Sequence, residues 1–346
     1  MPKAADAEYL TEALRRSGWL REARVCNVAV MNSLKKQRSH TFRLGLSYEG
    51  AAADAPSSLV LKMGHLDGTG RPSYANRCEI AFYRDLASAI RVVPRCFEAV
   101  AASDTSTWHL LLEDLTDSHF FATEWPLPPA PGQCESIVEA WARCHAAWWG
   151  DPRLGVSVGS WPDEQWERYL QQGFTERFAN FADRFGQVMP PERRGLYERL
   201  LDRAPRLLAR YRARRDLTLS HGDAHWWNCF LPRDGGGKVQ LIDWEGWSID
   251  TGTTDIAYMM AMLWFPDMRR AIEQLLLDRY HAALLANGVS GYDRRALHDD
   301  YRLSVLWLIL RPIEQAASNI PPRVWWPNLE RIMLAVDDLG CRELLS

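Results

Sequence analysis

The chain has 346 residues, with 41 Lys and Arg, 44 Asp and Glu and a hydrophobic content of 47%. Such a chain builds one large or two ordinary domains with hydrophobic cores, so disordered and fibrous classes are excluded. Its net charge of −3 provides no global field for attracting nucleic acid, and no apolar run approaches the roughly 20 residues that span a bilayer. The acidic first residues do not resemble a secretory signal, and the seven cysteines contain no C-x-x-C pair. We therefore expect a cytoplasmic protein with reduced thiols and with neither nucleic-acid nor membrane partners.

The first third of the chain predicts strands around a few short helices. In chain order the predicted elements are a helix over residues 9–14, strands over 41–48 and 59–63, a helix that starts near Ser73, and strands over 96–100 and 107–112. The strand over 41–48 alternates apolar and polar side chains, which is typical of a strand with one buried face. This part of the chain therefore predicts a small β-rich module.

Long helices dominate the rest of the chain. The predicted elements are helices over 133–149, 163–186 and 191–214, four further helices after residue 253, and strands over 217–219, 229–231 and 238–242. Only two of the 16 tryptophans precede residue 115, and a Pro-rich stretch covers 126–131. We therefore predict an α+β protein with a β-rich part over residues 1–115 and an α-rich part over 116–346.

A polar octet, H-G-D-A-H-W-W-N, covers residues 221–228 directly after a predicted strand. A later strand leads into Asp243, and a hairpin between the two segments would bring Asn228 and Asp243 together at its open end. One amide oxygen and one carboxylate suit Mg²⁺ that keeps water and phosphate oxygens among its ligands. Asp223 would then lie close enough to contact an incoming hydroxyl group.

The octet and the segment Asp243-Trp244-Glu245 resemble the aminoglycoside phosphotransferase and choline kinase group of protein-kinase-like enzymes. In that group H-G-D-x-H-x-x-N is followed by I-D-[FW]. Together with the later Asp255-Ile256-Ala257, these residues look most like the ecdysteroid-kinase-like and choline-kinase-like branches. The resemblance implies a two-lobed kinase fold, with a nucleotide-binding lobe over 1–115 and a catalytic, substrate-binding lobe over 116–346.

The resemblance also implies roles for the residues of the octet. Asp223 would be the catalytic base or the residue that orients the hydroxyl, Asn228 and Asp243 would hold Mg²⁺, and His225 would contact phosphate. The expected reaction is ATP- and Mg²⁺-dependent transfer of the γ-phosphoryl group to a hydroxyl of a small metabolite or xenobiotic.

Residues upstream of the octet fit the same resemblance in order and spacing. Lys62 ends an apolar strand and Glu79 lies on the following helix, as the kinase Lys–Glu pair that fixes the α- and β-phosphates requires. The run of leucines before Glu113 and Leu115 resembles the hinge between kinase lobes. The resemblance implies that backbone groups near these two residues bind adenine.

Two departures from the kinase pattern keep an alternative open. Residues 32–40 contain no glycine where protein kinases have a Gly-rich loop, and Glu245 stands where they have a glycine. Lys35, Lys36 or Arg38 would replace the missing loop by charge. A nucleotide-binding pseudokinase is therefore the second class of function considered.

A serine hydrolase is the third and least favoured class. Residues 155–159 read G-V-S-V-G and match the nucleophile elbow, with Ser157 as nucleophile. That motif requires a strand before the serine and a helix after it, whereas the preceding segment is predicted to be helical.

Side chains around the octet have structural as well as functional interpretations. We interpret His221 as a structural histidine that bonds the backbone, and Asp255 as a carboxylate that braces the catalytic loop from the start of a helix. The tryptophans Trp226, Trp227, Trp244 and Trp247 serve either packing or an acceptor platform. A platform would suit a steroid-like, aromatic or sugar acceptor, or a quaternary ammonium group.

Overall fold

The structure, a computed structural model, describes residues 2–36, 39–64, 74–102, 107–124, 126–235 and 237–346. The strands are β1 (Arg24–Lys35), β2 (Ser39–Glu49), β3 (Ser58–Gly64), β4 (Cys96–Val100), β5 (His109–Glu113), β6 (His119–Phe121), β7 (Thr218–Ser220), β8 (Cys229–Pro232), β9 (Gln240–Leu241) and β10 (Ser248–Asp250). The α-helices are α1 (Ala7–Arg16), α2 (Tyr74–Ala81), α3 (Pro131–Trp148), α4 (Pro162–Gln171), α5 (Phe174–Arg184), α6 (Pro191–Leu207), α7 (Ala209–Arg212), α8 (Thr253–Ala257), α9 (Pro266–Ala286), α10 (Arg294–Leu308), α11 (Arg311–Ala317) and α12 (Pro322–Asp338). Among these described helices, none is long and apolar enough to cross a membrane.

The first compact unit contains the described residues of Met1–Phe121 and Cys229–Gly246. Its main sheet is antiparallel and has the strand order β1-β2-β3-β5-β4. Alternate residues of a strand share one face, so Leu44 of β2 and Leu59 and Leu61 of β3 enter the core, where they pack with Leu10 and Leu14 of α1. The predicted β-rich first part is confirmed.

The first unit takes in more of the chain than the predicted boundary after residue 115 allows. A second sheet in this unit has the order β6-β8-β9, in which Phe120 pairs with Leu231 and Cys229 pairs with Leu241. These pairings include the predicted hairpin between β8 and β9. They tie residues 229–246 to the first unit although they lie far along the chain.

The second compact unit contains Ala122–Asn228 and Trp247–Ser346 and is mostly helical. In it α3 packs along α9, α8 packs on α10, and β7 pairs with β10. Fully buried tryptophans fill its interior, among them Trp141, Trp148, Trp264 and Trp325. The predicted α-rich second part is therefore confirmed, and six of its twelve described tryptophans are buried.

Several predicted boundaries were wrong. The single helix predicted over 163–186 is broken into α4 and α5, because Gly173 adopts a left-handed backbone conformation with φ 87°. The helix predicted over 191–214 ends as α6 at Leu207 and continues as the short α7. Beyond residue 253 there are five helices rather than four, since the short α8 passes into a π-helical turn over Tyr258–Met262.

The loop predicted over residues 32–40 is mostly strand. β1 runs to Lys35, which pairs with His40 of β2, so the described residues of the segment belong mainly to two long antiparallel strands. The Lys36 N–H donates to the carbonyl oxygen of Ser39 at 2.8 Å. Arg38, one of the predicted charge substitutes, lies outside the described residues.

Candidate active site

In the first unit, the Lys62 ammonium lies between two carboxylates. Nζ is 2.8 Å from Oε1 and 2.7 Å from Oε2 of Glu79, and 2.8 Å from Oδ1 of Asp243. β3 supplies the lysine, α2 supplies Glu79, and the turn after β9 supplies Asp243. The Lys62–Glu79 pair is thus formed as predicted, and Asp243 joins it from 181 residues along the chain.

Glu245 is a member of this cluster that the sequence analysis missed. Its Oε1 is 3.7 Å from Lys62 Nζ, and single oxygens of Glu79, Asp243 and Glu245 lie within 4.8 Å of one another. Three carboxylates face one ammonium, so the cluster has excess negative charge when all of them are ionised. Oxygen donors with excess negative charge fit a hard divalent cation such as Mg²⁺. The available sequence signal was an acidic residue two positions after Asp243.

Burial and charge oppose each other in the cluster. Burial would lower the pKa of Lys62, but the carboxylates of Glu79 and Asp243 outweigh it and raise the pKa above the ordinary lysine value. Glu79 is 1% exposed, and its burial raises the pKa to about 7 against the attraction of Lys62. Lys62 is therefore a fixed cation, whereas Glu79 gains its proton easily.

The turn that carries Asp243 is anchored by aromatic packing. Asp243 adopts a left-handed conformation with φ 68°, which aspartate tolerates better than most residues. The next residue, Trp244, is fully buried, stacks on Phe82 at 3.9 Å between ring centroids and donates its Nε1–H to the carbonyl oxygen of Leu241. Trp244 is thus a packing residue that fixes the Asp243 turn.

The predicted hinge residues follow β5. The Glu113 N–H donates to the carbonyl oxygen of Arg95 at 2.8 Å, and its Oε2 accepts from the Arg95 N–H at 3.1 Å. Leu115 is buried, and its carbonyl oxygen accepts from the His119 N–H at 2.8 Å. These bonds fix the chain at this point, and adenine binding near Glu113 and Leu115 stays a prediction.

In the second unit, the start of the octet is held by the buried carboxylate of Asp255. It accepts hydrogen bonds from Ser220 Oγ at 2.9 Å, from the His221 N–H at 2.7 Å and from the Gly222 N–H at 3.0 Å. His145 Nε2 lies 3.1 Å from the same carboxylate. Burial would raise the pKa of Asp255, but these partners lower it below its ordinary value. The predicted bracing role of Asp255 is therefore confirmed.

A second layer supports this carboxylate. His145 Nδ1 lies 2.8 Å from Tyr280 Oη, so the imidazole is fixed at both nitrogens. The pair packs against the backbone of Gly252, where an added Cβ would lie 2.2 Å from Tyr280 Oη. A glycine is therefore required at this position.

Asp223 follows the braced segment and is partly exposed. Its Oδ1 accepts from Tyr258 Oη at 2.6 Å, and its Oδ2 lies 3.5 Å from His225 Nε2. Partial burial would raise the pKa of Asp223, but His225 and the Tyr258 hydroxyl outweigh it and hold the pKa well below its usual range. Asp223 is thus an ionised carboxylate with a fixed orientation. Sequence reasoning missed Tyr258, which begins the π-helical turn 35 residues later.

Asn228 and His221 are both buried, as expected of structural parts of such a loop. Asn228 Nδ2 donates to the carbonyl oxygen of Asp223 at 3.0 Å, so the amide oxygen is the atom that would bind a cation. His221 Nδ1 accepts from the Asp223 N–H at 3.3 Å, which agrees with its interpretation as a structural histidine. Asn228 ends the octet one residue before β8. Its metal role stays a prediction.

A cavity of about 390 Å³ in the second unit has Asp223 in its wall. His225, Trp227 and Tyr258 also line it, together with Arg323 and Arg331 of α12 and several apolar side chains. Of the four tryptophans weighed as an acceptor platform, Trp227 alone lines this cavity; Trp226 is buried and donates its Nε1–H to the carbonyl oxygen of Leu127 at 3.0 Å. The cavity places open space beside the carboxylate.

Ser157 lies in a different setting from a hydrolase nucleophile. Residues 155–159 form a tight turn closed by the Gly155 N–H, which donates to the carbonyl oxygen of Val158 at 2.8 Å. The turn follows α3 rather than a strand, and Ser157 is exposed. The strand–turn–helix context of a nucleophile elbow is not what the structure shows here.

The model of the ecdysteroid kinase-like family matches residues 80–288, which is more than half of the chain. The chain belongs to this family. Membership makes it a phosphotransferase with an alcohol group as acceptor, as the resemblance predicted. The match includes the octet, Asp243 and Asp255 but begins just after Glu79, so the Lys62–Glu79 pair is supported by its geometry. No curated protein matches the chain significantly.

Solved structures with the same fold cover nearly the whole ecdysteroid kinase-like chain. A choline kinase from Cryptosporidium parvum Iowa II has a TM-score of 0.57 at 13% identity, covering 98% of this chain and 96% of its own. An aminoglycoside phosphotransferase from Alicyclobacillus acidocaldarius has a TM-score of 0.53 at 14% identity, covering 92% and 93%. A choline/ethanolamine kinase family protein from Mesorhizobium loti has a TM-score of 0.52 at 14% identity, covering 89% and 87%. The protein-kinase-like fold is thereby confirmed.

Proposed function

We propose that this ecdysteroid kinase-like protein is a small-molecule kinase that uses ATP and Mg²⁺ and transfers the γ-phosphoryl group to a hydroxyl of a small metabolite or xenobiotic. The observation that supports this most is the Lys62 ammonium held at 2.7–2.8 Å between Glu79 and Asp243. Enzymes with the protein-kinase fold use a lysine fixed by a helix glutamate to hold the phosphates, and an aspartate to hold the metal.

In this proposal the first unit binds the nucleotide phosphates and the metal ion. Lys62 binds the α- and β-phosphate oxygens, and Glu79 fixes the direction of its ammonium. Asp243 would hold Mg²⁺, with Glu245 available from the same cluster. The metal role of Asn228 is kept as an expectation from the family resemblance. When bound, Mg²⁺ would supply positive charge that neutralises the phosphate oxygens. Backbone groups near Glu113 and Leu115 bind adenine.

The second unit positions the acceptor. Asp223 accepts a hydrogen bond from the acceptor hydroxyl and aims its oxygen at the γ-phosphorus, while Tyr258 keeps the carboxylate oriented. A carboxylate with a low pKa is a weak base, so Asp223 takes the hydroxyl proton late, after the bond to the leaving group has lengthened. His225 contacts a phosphate oxygen. Positioning and electrostatics supply most of the catalysis, since the transition state of phosphoryl transfer is loose.

ADP release with Mg·ATP and a panel of sugars, amino alcohols, sterols and hydroxy acids tests this proposal. At least one acceptor is expected to raise ADP release above the rate without acceptor, and Asp223→Asn is expected to abolish that increase. Asp267, whose side chain is 100% exposed, provides the matched control Asp267→Asn, which should behave as wild type. Mg·ATP binding without turnover of any acceptor would favour the pseudokinase alternative. The cytoplasmic location stays a prediction from the sequence.

A further inference from the structure

Two arginines of one helix line the cavity that contains Asp223. Arg323 and Arg331 are eight residues apart on α12, so they lie on the same face, a little over two turns from each other. Asp223 is the one carboxylate among the described residues of the wall, and, against the effect of burial, two of its neighbours, His225 and the Tyr258 hydroxyl, lower its pKa. The rest of the wall therefore has a net positive charge.

Neither arginine is neutralised by a carboxylate within the described chain. The acidic residues that flank the two arginines along the chain are already used: Glu314 pairs with Arg177 at 2.7 Å, Glu330 with Arg193 at 2.5 Å and Asp337 with Arg342 at 2.6 Å. In the described ranges Arg323 and Arg331 form no ion pair. A guanidinium without a carboxylate partner in the wall of a cavity retains its full capacity to bind an anion.

Arg331 is held in place rather than extended into solvent. Its guanidinium lies 4.6 Å from the ring centroid of Phe265, and its side chain is half-buried. Burial lowers the pKa of Arg331 below the ordinary arginine value, and an arginine in a protein nevertheless stays charged at physiological pH. An oriented and partly desolvated guanidinium binds carboxylate or phosphate more strongly than a freely hydrated one.

A third arginine adds to the positive charge near Asp223. Arg311 Nη2 donates to the carbonyl oxygen of Gly222 at 2.8 Å, and its guanidinium lies 5.5 Å from the ring centroid of Tyr258. It therefore lies beside both the loop that carries Asp223 and the tyrosine that orients Asp223. A cationic acceptor would meet repulsion from three guanidinium groups here.

We propose that the acceptor of this kinase is an anionic alcohol, a compound with a hydroxyl group and a carboxylate or phosphate ester, whose anionic group binds Arg323 and Arg331. This inference rests on the proposed function and narrows its substrate class. The hydroxyl lies at Asp223 while Trp227, Met262 and Leu263 contact the apolar part of the molecule. A cationic aminoglycoside or a quaternary ammonium alcohol, which the sequence left open, fits this wall poorly.

Related alcohols with and without an anionic group test the proposal. Glycerol, glycerate and glycerol 3-phosphate form a small series, cholate and its neutral alcohol form a large one, and choline represents cations. Binding is measured by calorimetry without nucleotide, and ADP release is measured with Mg·ATP. In at least one series the anionic member should bind roughly 10- to 100-fold more tightly than its neutral partner, as expected for charge-assisted hydrogen bonds.

Variants connect that preference to the two arginines. Arg323 is exposed, so Arg323→Gln should fold normally and remove most of the preference for the anionic member while leaving the affinity for the neutral member unchanged. Arg331→Lys keeps the charge but loses the planar fork and should reduce the preference in part. The matched control is Arg295→Gln on α10, where the side chain is 90% exposed, and it should change nothing.

Three results would overturn the inference. The first is that the anionic members of both series bind no more tightly than their neutral partners. The second is that Arg323→Gln lowers the affinity for charged and neutral members equally. The third is that either variant weakens the binding of Mg·ATP rather than the binding of the acceptor. The last result would assign the arginines to a phosphate of the nucleotide. Failure of the proposed function would appear as an absence of Mg·ATP binding. The two failures can be distinguished, because acceptor binding is measured without nucleotide.

Discussion

Replacement of the buried Glu79 by glutamine should change the pH dependence of stability in a defined direction. Burial raises the pKa of Glu79 from 4.5 to about 7. Between these values the folded chain holds a proton that the unfolded chain has released, so the free energy of unfolding of the wild type falls as pH rises through this window. At about 1.4 kcal/mol per pKa unit, the loss is about 3 kcal/mol.

Glutamine resembles the protonated acid in shape and cannot ionise. The variant Glu79→Gln should therefore match the wild type near pH 4.5 and gain relative stability as pH rises, by about 3 kcal/mol near pH 8. Turnover should nevertheless fall, since a neutral amide attracts the Lys62 ammonium less strongly than the carboxylate does.

Urea titrations followed by tryptophan fluorescence at several pH values between 5 and 8 measure this difference. Glu49, which is 62% exposed in the same unit, provides Glu49→Gln as the matched control for replacing an exposed carboxylate. If Glu79→Gln instead loses stability relative to wild type as pH rises, attraction by Lys62 outweighs burial and the reasoning is refuted.

Three further predictions follow from the second unit and from aromatic packing. Asp223→Asn should lower kcat by about 10² to 10⁴ with little change in Mg·ATP affinity, measured by initial rates beside calorimetry, and full activity would remove Asp223 from the mechanism. Asp255→Ala removes the acceptor of three hydrogen bonds, two of them fully buried, and should lower the free energy of unfolding by about 3–5 kcal/mol in urea titrations. A loss below about 1 kcal/mol would contradict its bracing role. Trp227→Leu should raise the acceptor KM and leave Tm unchanged, because Trp227 lines the cavity. Trp244→Leu should lower the free energy of unfolding by about 2–4 kcal/mol, because Trp244 packs on Phe82. The reverse pattern would make Trp227 the packing residue and Trp244 the acceptor contact.

Local sequence patterns predicted the secondary structure best where one face is buried. The alternation in β2 is visible because Leu44 and Leu46 enter the core. β1 was not delimited, because its residues are almost all exposed, including Val30 and Met31, and show no alternation. The helix break at Gly173 was not predicted, because the residues on both sides have a helical pattern and the left-handed φ of Gly173 is not visible in it.

The sequence predicted those residues of the candidate site that belong to recognisable kinase motifs. Lys62, Glu79 and Asp243 occur in the order and spacing of kinases, and the structure brings them together. Glu245 looked like a departure from the pattern, because its proximity to Lys62 depends on the turn after Asp243. Arg331 could not be assigned to the Asp223 cavity from sequence, since α12 reaches it through tertiary packing across more than 100 residues.

The central claim is that Asp243 binds the metal that accompanies the nucleotide. Calorimetric titration of ATP with and without Mg²⁺ into wild type and Asp243→Asn tests it most directly, because asparagine also tolerates the left-handed backbone at this position and preserves the turn. Mg²⁺ should tighten ATP binding by at least tenfold in the wild type, an effect of about 1.4 kcal/mol, and the variant should lose that gain. An equal Mg²⁺ effect in both proteins, or no ATP binding by the wild type, would contradict the account.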